Sequence, residues 1–263
     1  MSAAPDALRV TIVQTKLHWQ DRQANRAHFD ALLAGVRQTD LVVLPEMFAT
    51  GFTMEPQAHA EPAEGETVRW LAGASRRLGC VVTGSLCVES GGRYFNRLYW
   101  SDPGGRMLTY DKRHLFRMAG EHEHYESGND RVLALVKGWR VRPLICYDLR
   151  FPVWSRRRED YDLLIYVANW PARRRTAWQT LLRARAIENQ AYAIGVNRIG
   201  RDGAEIDYAG DSAVLDPMGD ALVDAGDAES VATVTLDYAV LEKLRKHFPV
   251  HLDADAFSIE GAS

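Results

Sequence analysis

Apolar residues along this chain follow two rhythms. Leu8 to Gln14 (LRVTIVQ) is a β-branched run that predicts a strand. From Asp21 onward, Phe29, Leu32, Leu33 and Val36 fall on the i, i+3, i+4, i+7 stripe of an amphipathic helix. Asp40 to Pro45 (DLVVLP) is a continuous apolar run, short enough for a strand buried on both faces, and it delivers Glu46 to the strand's end. Glu66 to Leu78 predicts a helix and Cys80 to Val88 a strand. Arg93 to Trp100 and Arg106 to Tyr110 flank Asp102-Pro103-Gly104-Gly105, a turn signal, and so predict a hairpin. Lys112 to Asn129 is polar and aperiodic, with EHEH in its middle, and reads as a loop.

The second half repeats the mixture. Trp139 to Cys146 predicts a strand that ends on a cysteine, and Asp162 to Ala168 another buried strand. Arg174 to Gln190 sets Trp178, Leu181, Leu182 and Ala186 on one helical stripe, and Tyr192 to Asn197 follows as a strand. Strands near Ala213 to Asp216, Ala221 to Asp224 and Val231 to Leu236 complete the sheet region. Strands and helices alternate, but in two places strand follows strand. That mixture favours an α/β fold of sheets packed face to face with helices outside, over a purely parallel doubly wound sheet. No repeat, low-complexity tract or Pro/Ser-rich linker is found, so one domain over residues 1–263 is expected.

Composition narrows the function classes. Lysine plus arginine number 32 against 35 acidic residues, and a net charge of −3 gives no long-range pull toward nucleic acid or an anionic membrane. No stretch approaches 18 apolar residues, and Met1 to Arg9 lacks a basic stretch followed by an apolar run, so neither a membrane span nor a signal peptide is expected. The 3 cysteines are odd in number, widely spaced and without a CxxC pair. That pattern argues against a disulfide framework and a metal site, and fits a reducing cytoplasm.

Three residues sit just past a strand, where open sheets collect their sites: Glu46 in LPEMFATGF, Lys112 in YDKRHLF and Cys146 in ICYDLRFP. A thiol is a strong nucleophile at neutral pH once deprotonated. A carboxylate beside it can take that proton and return it to a leaving amine. A lysine ammonium favours the thiolate and can donate to the oxyanion of a tetrahedral intermediate. Together they suffice for acyl transfer with no metal and no cofactor. Singly, each has an ordinary explanation. A cysteine ending an apolar strand is most often a small core residue, the reading kept for Cys80 and Cys87, and Glu46 and Lys112 could be solvated charges.

The three segments together resemble the signature motifs of the nitrilase superfamily, the carbon–nitrogen hydrolases. Glu46, Lys112 and Cys146 match that family's Glu-Lys-Cys triad in order and context, and the resemblance runs from VTIVQ to the final helix. It implies a four-layer α-β-β-α sandwich and a homodimer or larger assembly, with the tail from about residue 248 packing on a partner subunit. It also implies a second glutamate between the lysine and a following glycine. Glu121 in GEHEHYESG is preferred there over its neighbour Glu123. The triplet Glu126-Ser127-Gly128 lacks the family's usual proline, a departure that touches loop rigidity and leaves the triad intact.

Within the family the chain looks like the bacterial omega-amidases, on DKRHLFRMAGEHEHY, NWPARRRTAWQTLLRARAIENQAY and HFPVHLDADAF. The likeness implies hydrolysis of 2-oxoglutaramate or 2-oxosuccinamate to the 2-oxo dicarboxylate and ammonia. Cys146 would attack, Lys112 and the backbone N–H of Tyr147 would hold the oxyanion, and Glu46 would shuttle the proton. Of two arginine clusters, Arg156 to Arg158, followed by Glu159 and Asp160, reads as a solvated helix face. Arg173 to Arg175 follows Asn169-Trp170-Pro171 at a strand end, and one of its guanidinium groups suits a substrate carboxylate. The resemblance favours Arg174, with Trp170 at the rim of the pocket.

Overall fold

The structure is a computed structural model that describes residues 5–158 and 160–261. The start of the Met1 to Arg9 stretch, Glu159 and the last two residues of the tail lie outside the described residues. Among the described residues the strands are β1 (Leu8–Gln14), β2 (Leu41–Val43), β3 (Glu61–Pro62), β4 (Val81–Ser90), β5 (Arg93–Ser101), β6 (Met107–Asp111), β7 (Ala134–Val136), β8 (Trp139–Ile145), β9 (Leu163–Ala168), β10 (Tyr192–Asn197), β11 (Ile199–Arg201), β12 (Asp207–Ala209), β13 (Ala213–Leu215), β14 (Ala221–Asp224) and β15 (Ser230–Leu236). The α-helices are α1 (Arg22–Leu33), α2 (Pro56–His59), α3 (Glu66–Leu78), α4 (Glu121–His124), α5 (Pro152–Ser155), α6 (Arg175–Asn189) and α7 (Tyr238–His247).

The strands form two large sheets. One runs β15-β1-β2-β4-β5-β6 with β3 paired to β4, the other runs β14-β13-β10-β9-β8-β7, and β11 with β12 makes a separate hairpin. Val10 and Ile12 of β1, with Leu41 and Val43 of β2, point into the core between the sheets. The alternate residues Val13 and Val42 face outward onto Phe29, Leu33 and Leu71 of α1 and α3. Both faces of β2 are thus covered, which is why DLVVLP carries no alternation. On the far side α6 lays Trp178, Leu182 and Ala186 against the second sheet. The result is the four-layer α-β-β-α sandwich, helices outside and two sheets within. Local signals fix the helix ends: Asp21 caps α1 by accepting from the Ala24 N–H at 2.9 Å. Gly79, at φ 65°, closes α3 in the left-handed conformation that glycine adopts without strain.

Four sequence expectations shift. The strand before the cysteine ends at Ile145, and Cys146 opens a short 3-10 turn over Cys146–Arg150. Lys112 to Asn129 is not wholly loop, since it holds a 3-10 turn at Arg117–Ala119 and the short helix α4. The hairpin β11–β12 has no apolar alternation to announce it. Arg156 to Arg158 do not form a solvated helix face: they lie in a loop after α5, where Arg156 donates to the Glu188 carbonyl at 2.6 Å and Arg157 to the Tyr161 carbonyl at 3.0 Å. Guanidinium groups there satisfy carbonyls that the chain leaves open, a demand that composition does not reveal.

Candidate active site

Four strands of the two sheets release their chains at one place. Glu46 lies three residues beyond β2, Lys112 follows β6 directly, Cys146 follows β8, and Asn169 follows β9. Two turns here are strained. Met47, next to Glu46, has φ 42° and Cys146 has φ 43°, the left-handed region that costs a side-chain-bearing residue free energy. The turn after β6 depends on close contact as well. A Cβ on Gly128 would stand 2.3 Å from the Asp111 carbonyl oxygen, and its N–H donates to the Lys112 carbonyl at 3.0 Å. Only glycine lets the two backbones lie so close beside the lysine.

The side chains converge on Lys112, which is wholly buried. Its Nζ donates to Glu46 Oε1 at 2.9 Å and to both Glu121 oxygens at 2.9 Å. Glu46 and Glu121 are equally buried. Glu123, by contrast, is 69% exposed, so the structure brings Glu121 and not Glu123 to the lysine. Two residues that sequence reasoning missed complete the cluster. Asn96 Nδ2 donates to Glu46 Oε1 at 2.8 Å and to Glu121 Oε1 at 3.2 Å. The Asn169 backbone N–H donates to Glu46 Oε2 at 2.7 Å, and its Nδ2 to the Glu46 carbonyl at 2.5 Å. One signal did exist: Asn96 shares a face of β5 with Leu98 and Trp100, which marks a polar side chain aimed into an apolar core.

Charge in this cluster is set by mutual dependence. Burial opposes the Lys112 ammonium, but Glu121 and Glu46 outweigh it and hold the lysine charged, above its ordinary value. Burial pushes Glu121 up, with Lys112 opposing and Glu46 adding to the rise. Cys146, 8% exposed, feels the charges of Glu46 and Lys112. Burial, then the Glu46 charge, push its thiol well above the usual range, and Lys112 only partly offsets them. Cys146 therefore rests as a thiol beside a carboxylate and not as the thiolate that the lysine alone would favour. Burial takes the other two cysteines up as well, Cys80 to about 12 and Cys87 to about 11. Neither touches the cluster; Cys87 Sγ lies 3.2 Å from the Tyr125 hydroxyl.

Cys146 and Lys112 stand in the wall of a cavity of about 320 Å³, with Tyr147, Trp170, Arg173 and Arg174 also lining it. Arg175 is not among the lining residues and is committed to Asp211 at 2.6 Å. Arg150, which no sequence argument singled out, also lines the cavity, its guanidinium 4.9 Å from the centre of the Trp170 ring. Arg174 lies 5.0 Å from the Phe116 ring centre, and its Nη1 is buried with no hydrogen-bond partner. Burial, then Arg173 and Arg150, lower its pKa. The β11–β12 hairpin contributes Asp202, Ala204, Ile206 and Tyr208 to the same wall. Among the described residues no group of three or more His, Cys, Asp or Glu side chains could hold a metal ion, and no helix is long and apolar enough to cross a membrane.

Two stacked sheets with a cysteine, a lysine and two carboxylates at their shared edge agree with what the sequence comparison finds. A family model described as carbon-nitrogen hydrolase matches residues 9–246, and the chain belongs to that family. It is 47% identical over 254 residues to the omega-amidase YafV of Escherichia coli (strain K12), covering 96% of this chain and 98% of that protein. The 2-oxoglutaramate amidase of Bacillus subtilis (strain 168) is 31% identical over 82% of this chain and 85% of its own length. Among solved structures, a CN-hydrolase superfamily protein of Xanthomonas campestris, with an arsenic adduct in its active site, superposes with a TM-score of 0.95. The two are 46% identical, over 97% of this chain and 99% of that one.

Proposed function

We propose that this enzyme is an omega-amidase that hydrolyses the distal amide of a short 2-oxo acid, such as 2-oxoglutaramate or 2-oxosuccinamate, through a thioester on Cys146. The observation that carries the reading is a cavity lined by Cys146, by Lys112 with Glu46 bonded to it, and by Arg174, which has no carboxylate partner among the described residues and a buried Nη1 without a hydrogen bond. Relatives named for this activity at 47% and 31% identity support it. In the first half-reaction Glu46 takes the thiol proton as Cys146 attacks the amide carbonyl. Lys112 and the Tyr147 backbone N–H hold the oxyanion, the C–N bond breaks, and the proton leaves on ammonia. In the second, Glu46 takes a proton from water, the hydroxide adds to the thioester, and the carboxylate departs as Cys146 recovers its proton. Glu121 orients Lys112, while Arg174 pairs with the α-carboxylate and Trp170 walls the site. No metal or cofactor enters this scheme.

The same reading includes a homodimer in a reducing cytoplasm. Phe248 and Leu252 of the tail are 63% and 74% exposed, apolar surface that suits a second copy, and all three cysteines are free. The inner side of the tail is tied to its own chain, since Gln190 donates to the Phe248 carbonyl at 2.7 Å and Arg158 to that of Phe257 at 3.0 Å. Truncation after His247 is expected to lower the assembly state in light scattering; a tail-less protein that stays dimeric removes the tail from the interface. Substrate class is tested by ammonia release over a panel of 2-oxo acid amides, plain amides, nitriles and carbamoyl compounds. Preference for a carboxylate-bearing 2-oxo amide is expected. Preference for nitriles or uncharged amides would sink the omega-amidase reading.

A further inference from the structure

Cys146 and Lys112 reach the cavity from different sheets, and both depend on strained or irregular turns. Something must fix one against the other. Asp148 sits two residues past the cysteine in the same 3-10 turn and is fully buried. Its Oδ2 accepts from the Ile145 N–H at 3.0 Å, on the residue just before Cys146, and from the Tyr110 hydroxyl at 2.7 Å. Its Oδ1 accepts from the His114 backbone N–H at 3.0 Å and from the His114 ring Nδ1 at 2.8 Å. Tyr110 and His114 stand two residues before and two after Lys112. One carboxylate therefore grips the turn that holds the nucleophile and both shoulders of the lysine.

We infer that Asp148 is a positioning residue, which sets Cys146 and Lys112 in reacting geometry by tying the cysteine turn to the Tyr110–His114 segment. The inference rests on the roles proposed above for those two residues. The surroundings favour such a clamp. The Tyr110 hydroxyl accepts from Trp154 Nε1 at 3.0 Å and from the Arg113 N–H at 3.3 Å, which turns its own hydrogen to the carboxylate. Burial, then the Asp148 charge, push that hydroxyl well above its ordinary pKa, so it stays a donor. The His114 ring lies flat on Phe151, centres 3.8 Å apart and planes within 5°, which fixes the direction of its Nδ1. The left-handed Cys146 backbone persists only where its neighbours hold it, and the Ile145 N–H bond closes that turn.

Asp148→Asn tests the clamp, because shape is kept while one acceptor oxygen becomes a donor. Whichever way the amide turns, its NH2 meets a backbone N–H, that of Ile145 or that of His114. A misplacement of about 1 Å typically costs on the order of 100-fold in rate, so kcat for the 2-oxo amide is expected to fall by roughly that factor. Inhibition by the dicarboxylate product, which reports the cavity alone, is expected to stay within about twofold. Tyr110→Phe removes one of the four bonds and is expected to lower kcat by about tenfold, again without weakening inhibition. The double variant should be no slower than Asp148→Asn, since both changes open the same network. Wild-type kcat in Asp148→Asn, or kcat and inhibition declining together, would overturn the inference. If Asp148→Asn does not fold, Tyr110→Phe decides by the same two readings. Cys146→Ala, run in parallel, separates the claims. An active Cys146→Ala enzyme defeats the nucleophile assignment, whereas an inactive one beside a wild-type-like Asp148→Asn defeats the clamp alone.

Discussion

The floor and the rim of the cavity are built on opposite rules. At the floor, Lys112, Glu46 and Glu121 are fully buried, and every charged atom among them has a partner within 2.9 Å. At the rim Arg150, Arg173 and Arg174 are at least partly open to solvent, and Arg174 keeps an unsatisfied Nη1. A buried charge without a partner is costly, so a floor of this kind exists only when it is complete. A rim that recognises an anion must instead leave donors unspent until the ligand arrives. On the proposed reading the floor serves any amide, and the rim decides which one.

That contrast breaks if floor variants discriminate between substrates or if rim variants do not. The largest effect is expected from Cys146→Ala and Glu46→Gln, which should abolish ammonia release from every substrate while circular dichroism stays native. Lys112→Ala follows. Loss of an oxyanion donor costs about 100- to 1000-fold in turnover. Leaving two buried carboxylates without their cation costs about 3–5 kcal/mol of stability, so chemical denaturation should show both losses in one variant. Arg174→Ala is expected to lower kcat/KM for 2-oxoglutaramate by roughly 30-fold, the lower end for a carboxylate partner because the rim is only half buried. A small amide without a carboxylate should be turned over unchanged, and the melting temperature should hold. Equal losses on both substrates would make Arg174 structural. Glu123→Gln, at an exposed position beside the buried Glu121, should stay within about twofold of wild type; a larger loss than Glu121→Gln would reverse the assignment of the second glutamate.

A pH experiment sharpens the floor's side of the comparison. Because burial and Glu46 raise the Cys146 pKa, the thiolate fraction is small at neutrality and grows as pH rises. Alkylation by iodoacetamide should therefore keep climbing through pH 9.0, the ordinary thiol value, with no plateau near neutrality. A plateau at neutral pH would mean that Lys112 outweighs both effects and that the resting nucleophile is a thiolate.

Much of the molecule was legible in its order of residues. Apolar runs of the right length gave the buried strands β2 and β9, and helical stripes gave α1 and α6, because burial against water selects those patterns wherever they fold. Glu46, Lys112 and Cys146 were legible too, since strand ends are local features and the motifs around them are read along the chain. Partnership was not. Asn96 shows only as a polar residue on an apolar strand face, with no hint of its partners; Asp148 looks like any acid after a cysteine, and Arg150 like a turn cation. Asn96 takes its role from Glu121 and Glu46, 25 and 50 residues away, and Asp148 from His114 and Tyr110, 34 and 38 residues away. The sign of the Cys146 shift belongs with them, because the lysine beside it argues one way, while burial and the Glu46 charge, both set by the packed sheets, argue the other. Local pattern determined which segments are strand or helix and which three residues stand at strand ends. Only the stacking of two sheets decided what those residues touch, how far water is excluded, and hence what charge each one carries.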